Sequence, residues 1–377
     1  MQLLIAGDLV PTNSNQHLFA GNDAKSLLGR ELLSLWSSSD VRIFNLEAPL
    51  TDKLNPIAKC GPNLVAPENA IRGINALNPT LITLANNHIL DQGTEGLEST
   101  QRILRENGIP YVGAGNNLGD ASRPQILKRN GMVIGVYACA EHEFSIATEK
   151  NPGANPFDLL KSLEHIKKLK NQCDYVVVLH HGGKEHYRYP SPKLQVLCRS
   201  MVDNGADIVI CQHSHCVGCF EEYRKSTIIY GQGNFIFDDF DSELWQTSLI
   251  ISIEMTSDLR VDYVPIIKED NVVRLAEGDQ KNEILHKFYE RSNEICHEGF
   301  VEQHYKKFAE DSIDSYLRNF WGFGKWLSRI DRWLLGGLLL KSIYNEEKIL
   351  TIQNHIECES HLELLITGLK AKQRDAK

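Results

Sequence analysis

The sequence lacks any apolar run long enough to cross a membrane. A membrane-spanning helix needs about 20 consecutive apolar residues, and runs such as WLLGGLLL at 333–340 are much shorter. The amino-terminal stretch MQLLIAGDLV has no basic segment ahead of a long apolar one, so no signal peptide is predicted. Together these two absences predict a soluble, cytoplasmic protein.

The chain also lacks a basic excess and a disulfide framework. Its 40 Lys and Arg against 49 Asp and Glu leave a formal net charge of −9, which argues against general nucleic-acid binding. Nine cysteines, an odd number, are scattered from Cys60 to Cys358, as expected in a reducing compartment. Cys216 and Cys219 form one CxxC without a second pair, which is only a weak indication of a zinc site.

What the 377 residues do contain is an alternation of strand-like apolar runs and helix-like segments. The runs are LLIAG (3–7), VRIFNL (41–46), LITLA (81–85), VIGVYACA (133–140), YVVVLH (175–180), DIVICQ (207–212) and TIIYG (227–231). Helical spacing recurs at 94–106, 157–170 and 192–204. This alternation predicts an α/β domain with buried sheets. The later runs LISIEM and VDYVPII are expected to pair as antiparallel strands.

From about residue 280 the pattern changes to helical spacing with few turn breakers. We therefore expect two domains, residues 1–278 and a helical carboxyl-terminal region at 279–377.

Residues 321–341 of that region contain three of the five tryptophans. On one continuous helix an apolar side would carry Phe323, Leu327, Ile330, Leu334 and Leu338, and another side Lys325, Arg329 and Arg332. This pattern fits a helix lying in a membrane surface, which would give the protein a peripheral contact with the inner membrane. The alternative is a helix packed as ordinary core on the first domain, and of the two this one is favoured.

Polar residues of metal-ligand type follow the apolar runs at five strand ends. Six of them make a mixed set of oxygen and nitrogen donors: Asp8, Glu47, Asn87, His181, His213 and His215. In α/β sheets ligands bind beyond the carboxyl ends of the strands, and imidazole with carboxylate suits manganese, iron or zinc better than magnesium or calcium. A turn or cap explains any one of these residues, but their joint occurrence indicates a metal site.

The order GD…NLE…ANNHxxDxG…HGGxE…HxH…GNFxF resembles the CapA family of bacterial capsule and poly-γ-glutamate synthesis proteins, within the calcineurin-like metallophosphoesterase superfamily. Its segments here are GDLV (7–10), FNLEAPLT (44–51), LANNHILDQG (84–93), HGGKEHYRYPSP (181–192), DIVICQHSHCVG (207–218) and YGQGNFIFD (230–238). The resemblance covers roughly residues 1–265. It implies a four-layer αββα sandwich that holds two divalent ions.

The resemblance also implies how the ligands are divided. The first ion would be bound by Asp8 and His215, the second by Asn87, His181 and His213, with Glu47 between them. Two positions depart from the superfamily. Glu47 stands in place of a bridging aspartate and is longer by one methylene, and Val10 stands where a histidine ligand is expected. The first site is therefore one ligand short.

Three further residues are predicted to take part in catalysis. The resemblance implies that His88, next to a ligand asparagine, donates a proton or hydrogen bond to the leaving group. Asp91 lies three residues later and could orient the ring if a helix begins here. Glu185, in a glycine-rich loop, is either a group assisting a ligand or substrate, or a solvated loop acid. His180 is expected to face the other side of its strand.

Three functions fit these residues. The first is a metal-dependent, phosphoesterase-like hydrolase in capsule, polymer or envelope biosynthesis, since two ions about 3.5–4 Å apart activate water and clamp oxygens. Cleavage or transfer of an amide in a γ-glutamyl polymer is a variant of it. The second is peptide modification, because the CapA-like group is similar to an enzyme that epimerises a residue of a ribosomal peptide precursor. The third is a non-catalytic subunit of a polymer synthase.

Overall fold

The computed structural model describes residues 1–238, 241–256 and 259–375. Its strands in chain order are β1 (Gln2–Leu9), β2 (Val41–Leu46), β3 (Leu81–Thr83), β4 (Tyr111–Val112), β5 (Ala114–Gly115), β6 (Gln125–Arg129), β7 (Met132–Ala140), β8 (Gly153–Ala154), β9 (Tyr175–His181), β10 (Ile208–Gln212), β11 (Phe220–Tyr223), β12 (Ser226–Ile229), β13 (Asn234–Ile236), β14 (Thr247–Met255), β15 (Leu259–Glu269) and β16 (Val272–Leu275).

Its α-helices are α1 (Gln16–Ala20), α2 (Arg30–Ser38), α3 (Ile71–Ala76), α4 (Gly93–Glu106), α5 (Leu118–Ala121), α6 (Lys161–Lys170), α7 (Pro192–Asp203), α8 (Glu243–Gln246), α9 (Gly278–Glu294), α10 (Phe300–Phe320), α11 (Lys325–Trp333), α12 (Leu338–Ile343), α13 (Glu346–Glu357) and α14 (Glu359–Asp375).

Two large sheets organise the strands. The first has the order β16-β15-β14-β1-β2-β3-β4, with β13 also paired to β1, and the second has the order β11-β12-β10-β9-β7-β6. Strands β1 to β4 are parallel, as are β7, β9, β10 and β12. The predicted late strands are confirmed, because β14 and β15 pair antiparallel along their whole length.

Side-chain alternation along the second sheet divides its residues between two cores. On β9, Val177 and Leu179 lie in the core shared with the first sheet, whereas Val176 and Val178 lie in a second core with α6 and α7. Residues of α2 and α4, among them Trp36, join the core of the first sheet. Since successive strand residues face opposite sides, each sheet is packed on both faces. The expected four-layer αββα sandwich is confirmed.

The chain divides into two compact units, residues 1–302 and 303–377. The predicted boundary at 278/279 lies earlier in the chain, because helix α9 packs in the core of the first unit. Its Phe288 is fully buried in the core of the first unit and stacks on Phe220 at 5.3 Å between ring centroids. Arg291 donates from Nε to the Gly218 carbonyl at 2.7 Å. Helical spacing marks the helix, but it does not say which core receives it.

The second unit is helical and has a small core of Leu317, Trp321 and Leu340. The continuous helix expected over 321–341 is not formed. Helix α11 ends at Trp333, and Gly336 and Gly337, with φ of 59° and 81°, precede α12. Left-handed glycines commonly end helices.

The break alters the apolar side predicted for this helix. Phe323 precedes α11 and Leu338 belongs to α12, so neither extends the apolar side of α11. Among the described residues, no helix combines the length and the apolar character that crossing a bilayer requires.

Candidate metal centre

The carboxyl ends of parallel strands from both sheets meet around Asp8. In the first sheet Asp8 pairs in register with Asn45 of β2 and Asn234 of β13. The approach of β13 depends on glycine, because a Cβ on Gly7 would lie 2.0 Å from the Gly233 carbonyl oxygen. Closely spaced backbones at this edge bring the residues that follow each strand into one cleft.

Three predicted ligands lie close to the Nε2 atom of a fourth, His181. It lies 3.1 Å from Asn87 Oδ1, 3.1 Å from Glu47 Oε1 and 3.2 Å from His213 Nδ1. These atoms come from β9, from the loops after β2 and β3, and from the loop after β10. Electron-pair donors from four segments therefore surround a small common space.

A second group of ligand atoms adjoins the first. Atoms of Asp8, Glu47 and His215 lie within 4.8 Å of one another, and His215 Nδ1 is 3.6 Å from Asp8 Oδ2. Glu47 belongs to both groups, so the six residues predicted as ligands come together with this carboxylate between two candidate ion positions.

The chemistry of Glu47 fits a bound cation. Both its carboxylate oxygens are buried, and neither has a hydrogen-bond partner in the part of the chain that the structure describes. Oε1 lies near His181 Nε2 but lacks hydrogen-bond geometry to it. Burial, and then the nearby charge of Asp8, raise the pKa of Glu47 to about 8. Burial lowers the pKa of His181 and of His213. Neutral imidazoles beside an unpartnered carboxylate are a donor set suited to manganese, iron or zinc, and an ion would offset the cost of burying that carboxylate.

Buried side-chain amides orient Asp8 and the loop that carries Asn87. Asn45 donates from Nδ2 to Asp8 Oδ1 at 2.8 Å and accepts at Oδ1 from Thr83 and Asn86 at 3.2 and 3.1 Å. Asn86 also donates to the Leu46 carbonyl at 2.8 Å. The adjacent asparagines at 86 and 87 thus differ in task. The first ties β2 to the loop after β3, and the second points its oxygen into the centre.

Two further residues, Asn234 and Glu143, form hydrogen bonds to predicted ligands. Asn234 Oδ1 lies 2.8 Å from His215 Nδ1, and Glu143 Oε2 accepts from Asn87 Nδ2 at 3.2 Å. Such partners set which ring or amide atom faces a metal. Sequence analysis did not assign either residue. Asn234 lies in the GNF segment and offered a signal, whereas Glu143 lies in a loop with no pattern.

The HSH segment reaches the centre through strained backbone. His213 and His215 have φ of 81° and 52°, in the left-handed region that residues with a Cβ seldom adopt. Such conformations cost about 1–3 kcal/mol each and persist where the surrounding structure enforces them. The turn brings imidazoles only two positions apart towards the same cleft.

His88 lies at the cleft, next to a buried ion pair formed by Asp91 and Lys59. Its Nδ1 is 2.6 Å from Asp91 Oδ2, and Lys59 Nζ is 2.5 Å from Asp91 Oδ1. The predicted contact between His88 and Asp91 is present, but a turn supplies it, since α4 begins only at Gly93. Lys59 was missed because its loop has no periodic signal. With Nδ1 facing Asp91, the other ring nitrogen is left for a substrate.

The two remaining residues of interest face different ways. A carboxylate oxygen of Glu185 lies within 4.8 Å of ring nitrogens of His213 and His215, and 46% of its side chain is exposed. His180 packs edge-on against Phe157 with ring centroids 5.8 Å apart. It therefore points away from the centre, as predicted.

Comparison with known proteins identifies the family of the chain. Residues 2–239 match the family model described as bacterial capsule synthesis protein PGA_cap. The capsule biosynthesis protein CapA of Bacillus anthracis is 36% identical over 211 residues, which are 53% of this chain and 51% of the relative. The PGA biosynthesis protein CapA of Bacillus subtilis (strain 168) is 32% identical over 208 residues, 54% and 55% of the two chains. The chain thus spans about half the length of the curated relatives it matches.

Among solved structures, a novel phosphatase of Mycoplasma pneumoniae resembles this chain with a TM-score of 0.48 and 14% identity, covering 71% of this chain and 93% of the phosphatase. Because this likeness is weak, the fold assignment depends on the sheets and helices of the chain itself.

Proposed function

The chain belongs to the PGA_cap family of bacterial capsule synthesis proteins, and from this premise we propose that it is a metal-dependent hydrolase with a phosphoesterase-like mechanism. It would act in capsule, poly-γ-glutamate or related polymer or peptide biosynthesis. One observation carries the proposal: donors from both sheets surround a buried Glu47 carboxylate that has no hydrogen-bond partner among the described residues. A centre arranged only for stability would pair such a carboxylate.

The proposed centre holds two divalent ions, of manganese, iron or zinc. Their ligands would be Asp8, Glu47, Asn87, His181, His213 and His215. Such ions, when bound, would supply an activated water and stabilise negative charge on the oxygens of the reacting group. Burial of the site strengthens these electrostatic effects, because little solvent screens them.

His88 is the proposed general acid. As the bond to the leaving oxygen breaks, its Nε2 would give a proton to that oxygen. The Asp91 carboxylate, 2.6 Å from His88 Nδ1, would stabilise the imidazolium form of the ring, in which Nε2 carries the proton that is transferred. Lys59 pairs with the opposite carboxylate oxygen and fixes Asp91 in turn. Glu185, at the open side of the cleft, is a further candidate group for catalysis.

An amide is a second possible target of the same chemistry. The relatives are named for capsule and PGA biosynthesis, and a γ-glutamyl polymer contains amide bonds. Attack of water on an amide carbon also develops negative charge on oxygen, and it needs a proton donor for the leaving nitrogen. Phosphoester, peptide and γ-glutamyl polymer substrates therefore all belong in the test.

The test is a substrate panel measured with metal-free protein before and after Mn²⁺ addition. It contains p-nitrophenyl phosphate, bis(p-nitrophenyl) phosphate and γ-glutamyl p-nitroanilide. We expect manganese-dependent release of the chromophore from at least one compound, with loss on chelation and return on re-addition. A His88→Ala preparation serves as the background control.

Other results would replace the proposal. Deuterium uptake from D₂O at a peptide α-carbon, without hydrolysis, would indicate the epimerase-like reaction. Full metal loading with no turnover of any compound and no deuterium uptake would favour a non-catalytic subunit of a polymer synthase.

A further inference from the structure

The two candidate ion positions are unequally supplied with ligands. One is surrounded by Glu47, Asn87, His181 and His213, and the other, among the histidines, cysteines and carboxylates of the described residues, by Asp8, Glu47 and His215. Val10 occupies the position two residues after Asp8, and its side chain offers no donor. Protein sites for these metals usually have four or more ligands. The poorer position therefore has room for a further donor, which either water or another segment of the protein could supply.

Glu185 is a carboxylate beside His215, one of the three ligands of the poorer position. One of its oxygens lies within 4.8 Å of ring nitrogens of both His213 and His215, so it adjoins one ligand of each candidate ion position. Its only ion pair in the described part of the chain is with the exposed Lys184, at 3.8 Å. A pair so long and so exposed contributes little free energy. Lys184 therefore does not account for the position of this carboxylate.

The backbone fixes where Glu185 lies. On one side of it, the Gly182 amide donates to the Gln212 carbonyl at 3.2 Å, and on the other the His186 amide donates to the Ser214 carbonyl at 2.8 Å. The loop after β9 is thus hydrogen-bonded to the segment that carries both histidines. His186 has φ of 59°, which bends the chain immediately after Glu185. The carboxylate is held beside the imidazoles by main-chain contacts independent of its own charge.

We infer that Glu185 is a metal ligand, which completes the Asp8–Glu47–His215 site in place of the donor that Val10 does not supply. This inference rests on the proposed metal centre and goes beyond it by giving this chain a ligand from the loop after β9. Because Glu185 is the most exposed of the ligands, the ion that it holds faces the open side of the cleft. Loading of that ion would then depend on a surface loop.

The test is the stoichiometry and affinity of Mn²⁺, measured by elemental analysis and titration calorimetry. Glu185→Gln keeps the shape of the side chain but weakens its donor. We expect wild-type protein to bind two ions and the variant to hold one tightly, with the other weakened by about 10-fold or more, since even residues that merely orient a ligand cost 10–100-fold. Glu185→His should recover part of the affinity, and Lys184→Gln in the same loop is the matched control.

A double-mutant cycle identifies the ion concerned. If Glu185 serves the Asp8 site, Glu185→Gln should weaken binding no further when Asp8→Asn has already removed that site. Additional loss in that background would overturn the assignment to this site. Two ions of wild-type affinity in Glu185→Gln would overturn the inference while leaving the centre intact. Wild-type protein that binds no Mn²⁺ would overturn the proposed function itself.

Discussion

The first unit buries polar side chains that proteins usually keep in water, whereas the second exposes apolar side chains that proteins usually bury. Glu47 and Asp91 of the first unit are fully buried, while Trp326, Trp333 and Leu334 of the second are 77, 80 and 79% exposed. A buried charge is costly unless it is paired, and clustered exposed apolar groups mark interaction sites. The buried carboxylates of the first unit are suited to binding cations. The exposed apolar side chains of the second unit are suited to contact with another surface.

For the second unit we propose that the surface is an anionic membrane, which α11 would contact peripherally. The exposed tryptophans of this helix lie among the exposed basic residues Lys325, Arg329 and Arg332. The Arg329 guanidinium lies over the Trp326 ring, 5.6 Å from its centroid. Tryptophan with basic residues is typical of helices in the membrane interface, where anionic lipids attract the positive charge.

The largest effect that would sharpen this comparison is expected at His181. Changing His181 to Ala should remove most of the bound metal and with it activity, because Nε2 is within 3.2 Å of three other ligand atoms. Elemental analysis of dialysed protein measures this. His180→Ala, one residue earlier and facing away, should retain its metal. If His181→Ala keeps the wild-type stoichiometry, the ligand assignment is wrong.

The next effect concerns turnover without metal loss. His88→Ala should lower kcat by about 10²–10⁴-fold, the usual contribution of a general acid, with metal content unchanged. Lys59→Gln should give a smaller decrease, since Lys59 acts through Asp91, and the exposed Lys53→Gln in the same loop is its control. Metal loss in proportion to activity would make His88 a ligand and contradict the division of roles.

Metal affinity should depend on pH in the first unit. In metal-free protein the pKa of Glu47 is raised to about 8, so below that pH an incoming ion must displace a proton. Affinity should therefore fall by up to about tenfold per pH unit as pH decreases from 8. Burial lowers the pKa of His181 and of His213, so these rings should release no proton near neutrality. Calorimetry in buffers of different ionisation enthalpy counts the protons, and a flat profile with no proton release would contradict this assignment.

The smallest effect is expected in the second unit. The double change of Trp326 and Arg329 to Glu should abolish flotation with anionic liposomes, while metal content stays at the wild-type value. Lys348→Glu, an exposed charge change in α13, is the control and should float. Absence of wild-type flotation at low salt would exclude the lipid surface and leave a protein surface as the partner of this helix.

Much of the fold and of the ligand set could be read from local pattern. Apolar runs such as YVVVLH and DIVICQ form strands because their length and composition suit a buried parallel sheet, and both coincide with β9 and β10. The candidate ligands were found because their side-chain types follow strand ends, where sheet geometry places binding sites. The prediction of a continuous helix over 321–341 was wrong. It depended on apolar spacing alone, whereas the two glycines at 336 and 337 adopt left-handed conformations and end the helix.

The sequence by itself determined the alternation of strands and helices and the donor types at the strand ends, because both are properties of a residue and its immediate neighbours. Only the tertiary structure decided three contacts. Lys59 forms an ion pair with Asp91, Asn86 donates a hydrogen bond to the Leu46 carbonyl, and α9 packs in the core of the first unit. Each of these depends on contact between segments far apart in the chain. Such contacts exist only once the sheets have packed, so no local pattern in the residues encodes them.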